Sequence, residues 1–464
     1  MTRSSGSLGG LSNAALARAA LAATTPLGAS IGDSIATADY NGSDRVTLPP
    51  APTNVLKAAK GIMTWALILC GQRVQIPTTT NIWGFPGETS ATILANLPAF
   101  HAQMPRKPAF MYIHCGTNDV KDGLSFSAIT GNWEAIAVLN AQRNCRTIFA
   151  PILPRTSGFS ALFSATQFEV MDRCNRWLAR FAARAQGMVA VASACLPDIT
   201  DPASVGAQPR TGYTYDGTHP AIAGGYYAGK AVAAILRNWY PPLDVLPSNN
   251  LAWASGLSYA NYLQNPMMEG AGGTVTTPSS GAISGTAPTS WSASMSNTVG
   301  LTVAHAQVAS PVTGRRMHQI TFGGSYTASG FTMSTWGPFA RLLQNPSTAS
   351  LASIGAGDTI EALVEFEIDA GNNCIAFPHL QMRWKGPTNY NADLQLPDLV
   401  GGLPTEAITG VLRTAPHSYV AGELPLAAGE LTHSMFAYLR AENGSYSPSA
   451  TIRFGRAVIQ KVDQ

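Results

Sequence analysis

The sequence predicts an α/β domain with a doubly wound, five-stranded parallel sheet, followed by an all-β sandwich domain. Up to Tyr240, short apolar runs alternate with longer helical patterns, which is typical of a parallel sheet covered on both faces. After Tyr240, a stretch rich in Pro, Ser and Asn leads into segments of alternating polar and apolar residues. The chain has 464 residues, enough for two domains. We therefore assign residues 1–25 to an N-terminal segment, 26–245 to the α/β domain, and 246–464 to a linker and the sandwich.

The elements of the α/β domain follow from their periods. Strands are predicted at residues 27–31, 79–83, 109–114, 146–152 and 188–192. Helices are predicted at 52–70, 89–103, 127–143 and 164–186, with a last one after Pro220. In sheets of this kind, ligands bind beyond the carboxyl ends of the strands, near the point where the strand order reverses. Residues that directly follow the strands are therefore the candidates for a functional site.

The second domain is predicted to be an antiparallel sandwich. Residues 241–250 are taken as the linker, and 270–290, rich in Gly, Ser and Thr, as a long polar loop. Strands are predicted at 300–308, 317–322, 359–368, 375–384, 432–440 and 451–459.

Composition excludes several classes of function. Only 12% of the residues are charged and the net charge is +3, so the chain has no basic stripe for a nucleic-acid partner. No apolar run approaches the roughly 18 residues of a membrane span. The Ala-rich stretch 14–23 is interrupted by Arg18, which makes it a weak signal peptide. The low charge suits an extracellular or virion-associated protein, while the export route and the oligomeric state stay open.

The cysteines and histidines do not indicate a metal or a cofactor. The six cysteines contain no CxxC pair and no His at zinc-ligand spacing, so buried free thiols are expected. His114 and Cys115 are adjacent, but no third ligand is spaced to join them.

Two short motifs together indicate nucleophilic catalysis. Ser34, in Gly32-Asp33-Ser34, comes just after the first strand, where its hydroxyl would be exposed. A serine needs a base to act as a nucleophile, and His219 is the only histidine in an Asp-x-x-His turn. The Asp216 carboxylate can reach the imidazole across this turn and fix its tautomer. Taken singly, Ser34 could be a helix cap, and His219 could cap the helix that begins near Pro220.

Two further residues could donate hydrogen bonds to a developing oxyanion. Asn118 follows the third strand and offers a side-chain amide, and Gly87 follows the second strand and offers a backbone N–H. Gly87 alone is as well explained by a turn before a helix. Asp33 and Asp119 are interpreted as acceptors that hold their turns.

The joint pattern resembles the SGNH, or GDSL-type, hydrolase family. The family's four motif blocks match Gly32-Asp33-Ser34, Gly87, Gly116-x-Asn118-Asp119 and Asp216-x-x-His219, and the resemblance spans about residues 26–240. It implies the flavodoxin-like SGNH fold and an esterase without metal or cofactor. It also implies that Ser34 is the nucleophile, His219 the general base and Asp216 its orienting partner, with Ser34, Gly87 and Asn118 forming the oxyanion hole.

The substrate is less well defined by the sequence. The second domain loosely resembles accessory modules found beside carbohydrate-active esterases, and Trp253, Trp291, Trp336 and Trp384 could stack on sugar rings, although a core position is the default for each. The leading hypothesis is a serine esterase that removes acyl groups, most simply O-acetyl, from a carbohydrate through an acyl-serine intermediate; its expected partner is an acylated glycan or small ester substrate. The alternatives are a lipolytic esterase or thioesterase, and an inert glycan-binding or structural virion protein.

Overall fold

The computed structural model describes most of the chain. The described residues are 25–37, 55–58, 60–77, 81–159, 161–204, 206–243, 246–250, 261–330, 337–385, 390–396, 401–420 and 429–462. Of the features considered above, the Ala-rich stretch 14–23, Trp253 and Trp336 lie outside these ranges.

The first half of the chain alternates strands and helices. In chain order these are β1 Gly28–Gly32, α1 Ser34–Thr37, β2 Val55–Ala58, α2 Ile62–Leu69, β3 Ile82–Gly84, α3 Ser90–Gln103, β4 Phe110–His114, α4 Thr117–Lys121, α5 Phe126–Gln142, β5 Arg146–Phe149, α6 Ala165–Arg184, β6 Val189–Val191, α7 Leu196–Ile199 and α8 Ile222–Trp239.

Five of these strands form one parallel sheet in the order β3-β1-β4-β5-β6. The chain steps outward from β1 to β3 and then returns to β4 on the other side of β1, so the strand order reverses at β1. The predicted doubly wound, five-stranded α/β fold is confirmed. In register, Gly32 is paired with both Gly84 and His114, so β3, β1 and β4 end in one row. The segments that follow these three strands therefore emerge side by side.

Helices cover both faces of the sheet. On one face Met111 and Ile113 of β4 pack with apolar residues of α3, α5 and α6. On the other face Phe110 and Tyr112 pack with residues of α2 and α8. Successive residues of β4 thus pack on opposite faces of the sheet, and helices bury both faces.

Several predicted bounds differ from the structure. Within the helix predicted at 52–70, the described residues form strand β2 and the shorter helix α2, and Gly61, just before α2, is extended (φ −68°, ψ 128°). The strand predicted at 146–152 ends at Phe149, two residues before Pro151, which has no N–H to donate to a ladder. The loop predicted at 270–290 contains two short strands.

The second half of the chain is almost entirely β-structure. Its elements are β7 Thr274–Val275, β8 Ala282–Gly285, β9 Ser292–Met295, β10 Leu301–Ala309, β11 Arg316–Gly324, β12 Tyr326–Ala328, β13 Phe339–Gln344, α9 Thr348–Leu351, β14 Thr359–Ile368, β15 Ile375–Lys385, β16 Tyr390–Leu396, β17 Ile408–Arg413, β18 His417–Ser418, β19 Leu431–Leu439, β20 Gly444–Tyr446 and β21 Ala450–Lys461. All six strands predicted here are present.

Two large sheets share one apolar core. One sheet has the order β17-β14-β21-β11-β10-β8, with β18 on β14, and the other has the order β2-β16-β15-β19-β13-β9-β7. Most pairs are antiparallel, as predicted, but β8–β10, β7–β9 and β2–β16 are parallel. Strand β2 comes from the first half of the chain, so the second sheet is completed by residues that precede most of the α/β fold.

The two halves are also joined by packing. Trp65 of α2 lies edge-on to Tyr226 of α8, with ring centroids 5.3 Å apart, and edge-on to Phe377 of β15, at 5.2 Å. The Lys230 ammonium lies 2.6 Å from a carboxylate oxygen of Glu406. Helices α2 and α8 thus cover the five-stranded sheet on one side and contact the core of the β-structure on the other.

Candidate active site

Ser34 lies directly beyond the row in which β3, β1 and β4 end. It is the first residue of α1 and is partly exposed, while the preceding Asp33 is fully buried. An Asp33 carboxylate oxygen accepts a hydrogen bond from the backbone N–H of Ile35, at 2.9 Å, and so holds the chain in the turn that presents the Ser34 hydroxyl.

A chain of hydrogen bonds connects Ser34, His219 and Asp216. Ser34 Oγ lies 2.8 Å from His219 Nε2, and His219 Nδ1 lies 2.6 Å from Asp216 Oδ2. With a proton on Nδ1, the imidazole donates to the carboxylate and its Nε2 can accept the serine proton. These residues are 185 and 3 positions apart in the sequence, and the fold brings them within hydrogen-bonding distance.

Hydrogen bonds to Asp216 stabilise the turn that carries His219. The second carboxylate oxygen of Asp216 accepts from the backbone N–H groups of Thr218 (3.0 Å) and His219 (2.8 Å). Burial by itself raises the pKa of Asp216, but the hydrogen bonds from the His219 backbone, the His219 side chain and Thr218 lower it more. The pKa of Asp216 is therefore below its ordinary value, and the carboxylate is charged at neutral pH.

A buried cation lies behind this turn. Arg155 is 1% exposed, its guanidinium lies 4.7 Å from the Phe163 ring centroid, and its Nε and Nη2 have no hydrogen-bond partner within the described ranges. Burial lowers the pKa of Arg155, and the charge of Asp216 opposes that effect. The positive charge of Arg155 in turn favours the ionised form of Asp216.

A hydrogen bond joins the segments that carry Gly87 and Asn118 beyond the ends of β3 and β4. Gly87 has φ +84°, which favours glycine, and a Cβ added there would have no atom within 4 Å, so the space above it is open. The Asn118 amide donates to the backbone carbonyl of Glu88, at 2.9 Å. This bond uses one of the two amide hydrogens and orients the group beside Gly87.

Asp119 connects the same two segments. Its carboxylate accepts from the Ser90 backbone N–H, at 2.9 and 3.1 Å, and from the Ser90 hydroxyl. Ser90 begins α3, three residues after Gly87. Burial raises the pKa of Asp119, and the bonds from Ser90 oppose that rise. Asp119 thus ties the start of α3 to α4 and fixes Gly87 relative to Asn118.

His114 and Cys115 have structural partners. His114 Nδ1 lies 3.1 Å from Asp33 Oδ1, and the Trp133 indole N–H donates to the Cys115 sulfur, at 3.3 Å. Within the described ranges, no group of three His, Cys, Asp or Glu side chains is arranged to hold a metal ion. All six cysteines are free and buried, as expected from the sequence.

Two aromatic residues that the sequence did not single out flank His219. The Phe159 ring is edge-on to the imidazole with centroids 5.0 Å apart, and the Tyr215 ring is stacked at 5.7 Å. Their exposure, 70% and 42%, separates them from core aromatics, but exposure is not visible in a sequence. By contrast, Trp291 and Trp384, considered above as sugar-stacking candidates, are 1% and 2% exposed and belong to the core.

The chain was compared with known families and structures. Residues 30–225 match the GDSL-like lipase/acylhydrolase family. No curated protein matches the chain.

Three solved structures illustrate the similarity. A GDSL-like lipase from Bacteroides thetaiotaomicron is 18% identical and covers 48% of this chain and 97% of its own, with a TM-score of 0.31. A member of the lipolytic protein G-D-S-L family from Veillonella parvula is 16% identical and covers 45% and 96%, with a TM-score of 0.31. TesA is 20% identical and covers 46% and 98%, with a TM-score of 0.32.

Proposed function

We propose that this chain, whose residues 30–225 match the GDSL-like lipase/acylhydrolase family of ester hydrolases, is a serine esterase that removes O-acetyl groups from a carbohydrate. The observation that carries the esterase activity is the hydrogen-bonded chain from Ser34 Oγ through His219 to Asp216, with distances of 2.8 and 2.6 Å. If Ser34 were only a helix cap, its hydroxyl would not need a hydrogen bond to His219, and His219 would not need one to Asp216.

The reaction begins with attack of Ser34 Oγ on the ester carbonyl carbon. His219 Nε2 takes the serine proton as the new C–O bond forms, and ionised Asp216 stabilises the resulting imidazolium. The carbonyl oxygen becomes an oxyanion, for which the N–H groups of Ser34 and Gly87 and the amide of Asn118 are the proposed donors.

The tetrahedral intermediate then collapses. His219 gives its proton to the alcohol oxygen, the C–O bond to the alcohol breaks, and the acyl group stays on Ser34. Water enters in place of the alcohol and loses a proton to His219. Its attack on the acyl carbon releases the carboxylic acid and returns the proton to Ser34.

The carbohydrate assignment has separate support. The described rim of the site carries the exposed aromatic rings of Phe159 and Tyr215 beside His219. The segment between α4 and α5, where an apolar lid would suit a lipase, is largely exposed and includes Asp122 and Ser125. A β-rich domain packed against α2 and α8 is consistent with an accessory module for a polymeric substrate.

The alternative is a lipolytic or thioesterase activity. The matched family is described as lipase and acylhydrolase, and two of the similar structures are described as a lipase and a lipolytic protein. Chain-length preference on simple acyl esters separates the two proposals. A strong preference for long acyl chains would support the lipolytic one.

Release of acetate from an acetylated polysaccharide tests the proposal. We expect release by the wild type and a rate near background for Ser34→Ala, with Ser125→Ala, a change at the cap of α5, as the matched control. Equal rates for the wild type and Ser34→Ala would remove Ser34 from the mechanism. If a serine-reactive phosphonate does not label the wild type, the inert binding or structural protein becomes the better account.

A further inference from the structure

The aromatic rings beside His219 are unusual for their exposure. Phe159 is 70% exposed and Tyr215 is 42% exposed, whereas most large apolar side chains of the described residues are buried. Both rings contact the imidazole, from different directions: one is edge-on at 5.0 Å, the other stacked at 5.7 Å. Two exposed aromatic rings beside the imidazole form an apolar surface that a bound substrate could cover.

The backbone holds both rings in place. The N–H of Phe159 donates to the Asp216 carbonyl (2.7 Å), and the N–H of Thr156 donates to the Gly217 carbonyl (2.8 Å). Between them, a Cβ on Gly158 would lie 2.1 Å from the Asp216 carbonyl oxygen, so only glycine allows this close approach. The loop before Phe159 is therefore attached to the turn that carries His219.

Tyr215 is fixed from the other side. Its N–H donates to the His219 carbonyl, at 3.1 Å, and the Lys60 ammonium lies 4.5 Å from its ring centroid. A cation over one part of an aromatic face favours a defined ring orientation. The backbone segments that carry the two rings are thus fixed next to His219.

The reaction assigns a role to this side of the site. His219 must give its proton to the leaving alcohol, so the alcohol part of the ester lies against the imidazole. Gly87 follows β3 and Asn118 follows β4, whereas Phe159 follows β5, on the far side of β4 from Ser34. In the sheet order β3-β1-β4-β5, Gly87 and Phe159 therefore come from opposite sides of the strand that precedes Ser34.

We propose that Phe159 and Tyr215 form the binding surface for the alcohol part of the ester, and that this part is a pyranose ring. This inference rests on the proposed esterase function and names its substrate class. One face of a pyranose carries C–H groups that pack on aromatic rings, while its hydroxyl groups remain in water at the rim. The acyl group would bind away from this pair, toward Gly87 and Asn118.

Acetate esters that share the acyl group and differ only in the alcohol provide the test. Ethyl acetate has an alcohol too small to cover the rings, and an O-acetylated methyl pyranoside covers them. For Phe159→Ala and Tyr215→Ala we expect kcat/KM for the pyranoside to fall by about 3- to 10-fold each, mainly through KM, with ethyl acetate changed less than about 2-fold.

Matched variants separate an aromatic face from mere bulk or folding. Phe159→Leu keeps an apolar side chain without the ring and should behave like Phe159→Ala, while Tyr215→Phe should retain most of the activity. Val299→Ala changes another exposed apolar residue, 79% exposed and in the β-rich domain, and should leave both substrates unaffected. Breakdown of the acetyl-enzyme is common to both esters and should be unchanged in all variants.

Several results would overturn the inference. Equal losses on both esters would give the rings a role in catalysis or stability, and no loss on the pyranoside would remove them from binding. A loss that grows with acyl length at a fixed alcohol would assign the rings to the acyl group. Wild-type activity on ethyl acetate alone would reject the pyranose and keep the esterase, whereas inactivity on every ester would reject the proposed function with it.

Discussion

At the scale of single residues, the candidate site depends on interactions between distant positions. Ser34 and His219 are 185 positions apart, yet Ser34 Oγ and His219 Nε2 are 2.8 Å apart. Asp216 is near His219 in sequence, and its second carboxylate oxygen also holds the backbone of the turn. One carboxylate thus orients both the imidazole and the segment that carries it.

The first prediction concerns Asp216. Asp216→Asn keeps the shape but loses the charge and favours the wrong imidazole tautomer, so kcat should fall by about 10³- to 10⁴-fold. Because the pKa of Asp216 is lowered, its charge is fully present above the ordinary value of about 3.9 and is lost only as the pH falls below it. The variant should therefore stay far below the wild type in kcat/KM at every pH between about 5 and 8, where Asp216 is ionised.

Initial rates on a small acetate ester across this range give the measurement. Asp172→Asn, an exposed change on α6, is the control and should match the wild type. Equal kcat/KM for the wild type and Asp216→Asn anywhere in this range would mean that the Asp216 charge does not act in the reaction.

The residues of the site were predictable from the sequence to different degrees. The sequence predicts Ser34, Gly87, Asn118 and the Asp216 to His219 turn as candidates because each lies at a fixed offset from a strand end or a helix start. The hydrogen bond from Asn118 to Glu88 and the aromatic pair on His219 were not found. These contacts depend on how loops after different strands pack together, and such packing leaves no pattern in the local sequence.

At the scale of elements, registers and short connections position the site. The row that joins Gly84, Gly32 and His114 aligns the ends of three strands. Long elements with strong periodicity, such as α6 and β14, were predicted within one or two residues. The sequence does not predict strand β2, because its partner, β16, lies more than 300 residues away. A strand of four residues is also too short to show an alternating pattern next to residues with a helical one.

The second prediction concerns the connection between α3 and α4. Asp119→Ala removes the carboxylate that accepts from the N–H and hydroxyl of Ser90, so we expect a stability loss of about 1.5 to 3 kcal/mol. Gly87 would also shift relative to Asn118, and kcat should fall by about tenfold with little change in KM. Denaturant unfolding and steady-state kinetics test these two effects.

Asp122→Ala is the matched control for Asp119. Asp122 follows α4, and among the described residues its exposed carboxylate forms an ion pair with the adjacent Lys121, at 3.4 Å. We expect both its stability and its kcat to stay near wild type. If Asp119→Ala behaved in the same way, the connection would not position the oxyanion donors.

The third prediction concerns a buried histidine pair on β10 and β11. His305 Nδ1 lies 2.9 Å from His318 Nε2, and burial lowers the pKa of His305 to about 4 and that of His318 to about 3. Both are neutral in the folded state and take up protons on unfolding. Their contribution to stability is complete above the unfolded pKa of about 6.5 and is lost as the pH falls toward 4.

The slope of unfolding free energy against pH measures this contribution. Between pH 6 and 4.5 the double variant His305→Gln/His318→Gln should take up about two fewer protons on unfolding. Its slope should therefore be smaller by roughly 2.7 kcal/mol per pH unit. Its absolute stability can change without affecting that comparison. An unchanged slope would mean that the pair is charged in the folded protein.

At the scale of the whole molecule, the two halves of the chain share elements and core. Strand β2 completes a sheet of the β-rich half, and Trp65 contacts Tyr226 on one side and Phe377 on the other. The alternating segments in the sequence predict a second domain, but they do not predict that Trp65 contacts it. A helix that covers one sheet and a helix that also packs against another domain have similar apolar patterns.

The fourth prediction concerns this contact. Trp65→Ala should destabilise by about 3 to 5 kcal/mol and increase protease cleavage in both halves. Trp133→Ala also removes a buried Trp, but one whose ring neighbours, Phe149 and Trp177, lie in the α/β domain. It should increase cleavage mainly there. Cleavage sites mapped by mass spectrometry give the comparison, and the same map for both variants would argue against coupling through Trp65.

The central claim is that Ser34 forms a covalent acyl intermediate. Brief exposure of the protein to an acetylated pyranoside, followed by acid quench and peptide mass spectrometry, tests it most directly. The account predicts an acetyl group on the peptide that contains Ser34, and no such group in Ser34→Ala. Two results would contradict it: wild-type turnover of the same substrate with no acyl group on Ser34, and undiminished turnover by Ser34→Ala.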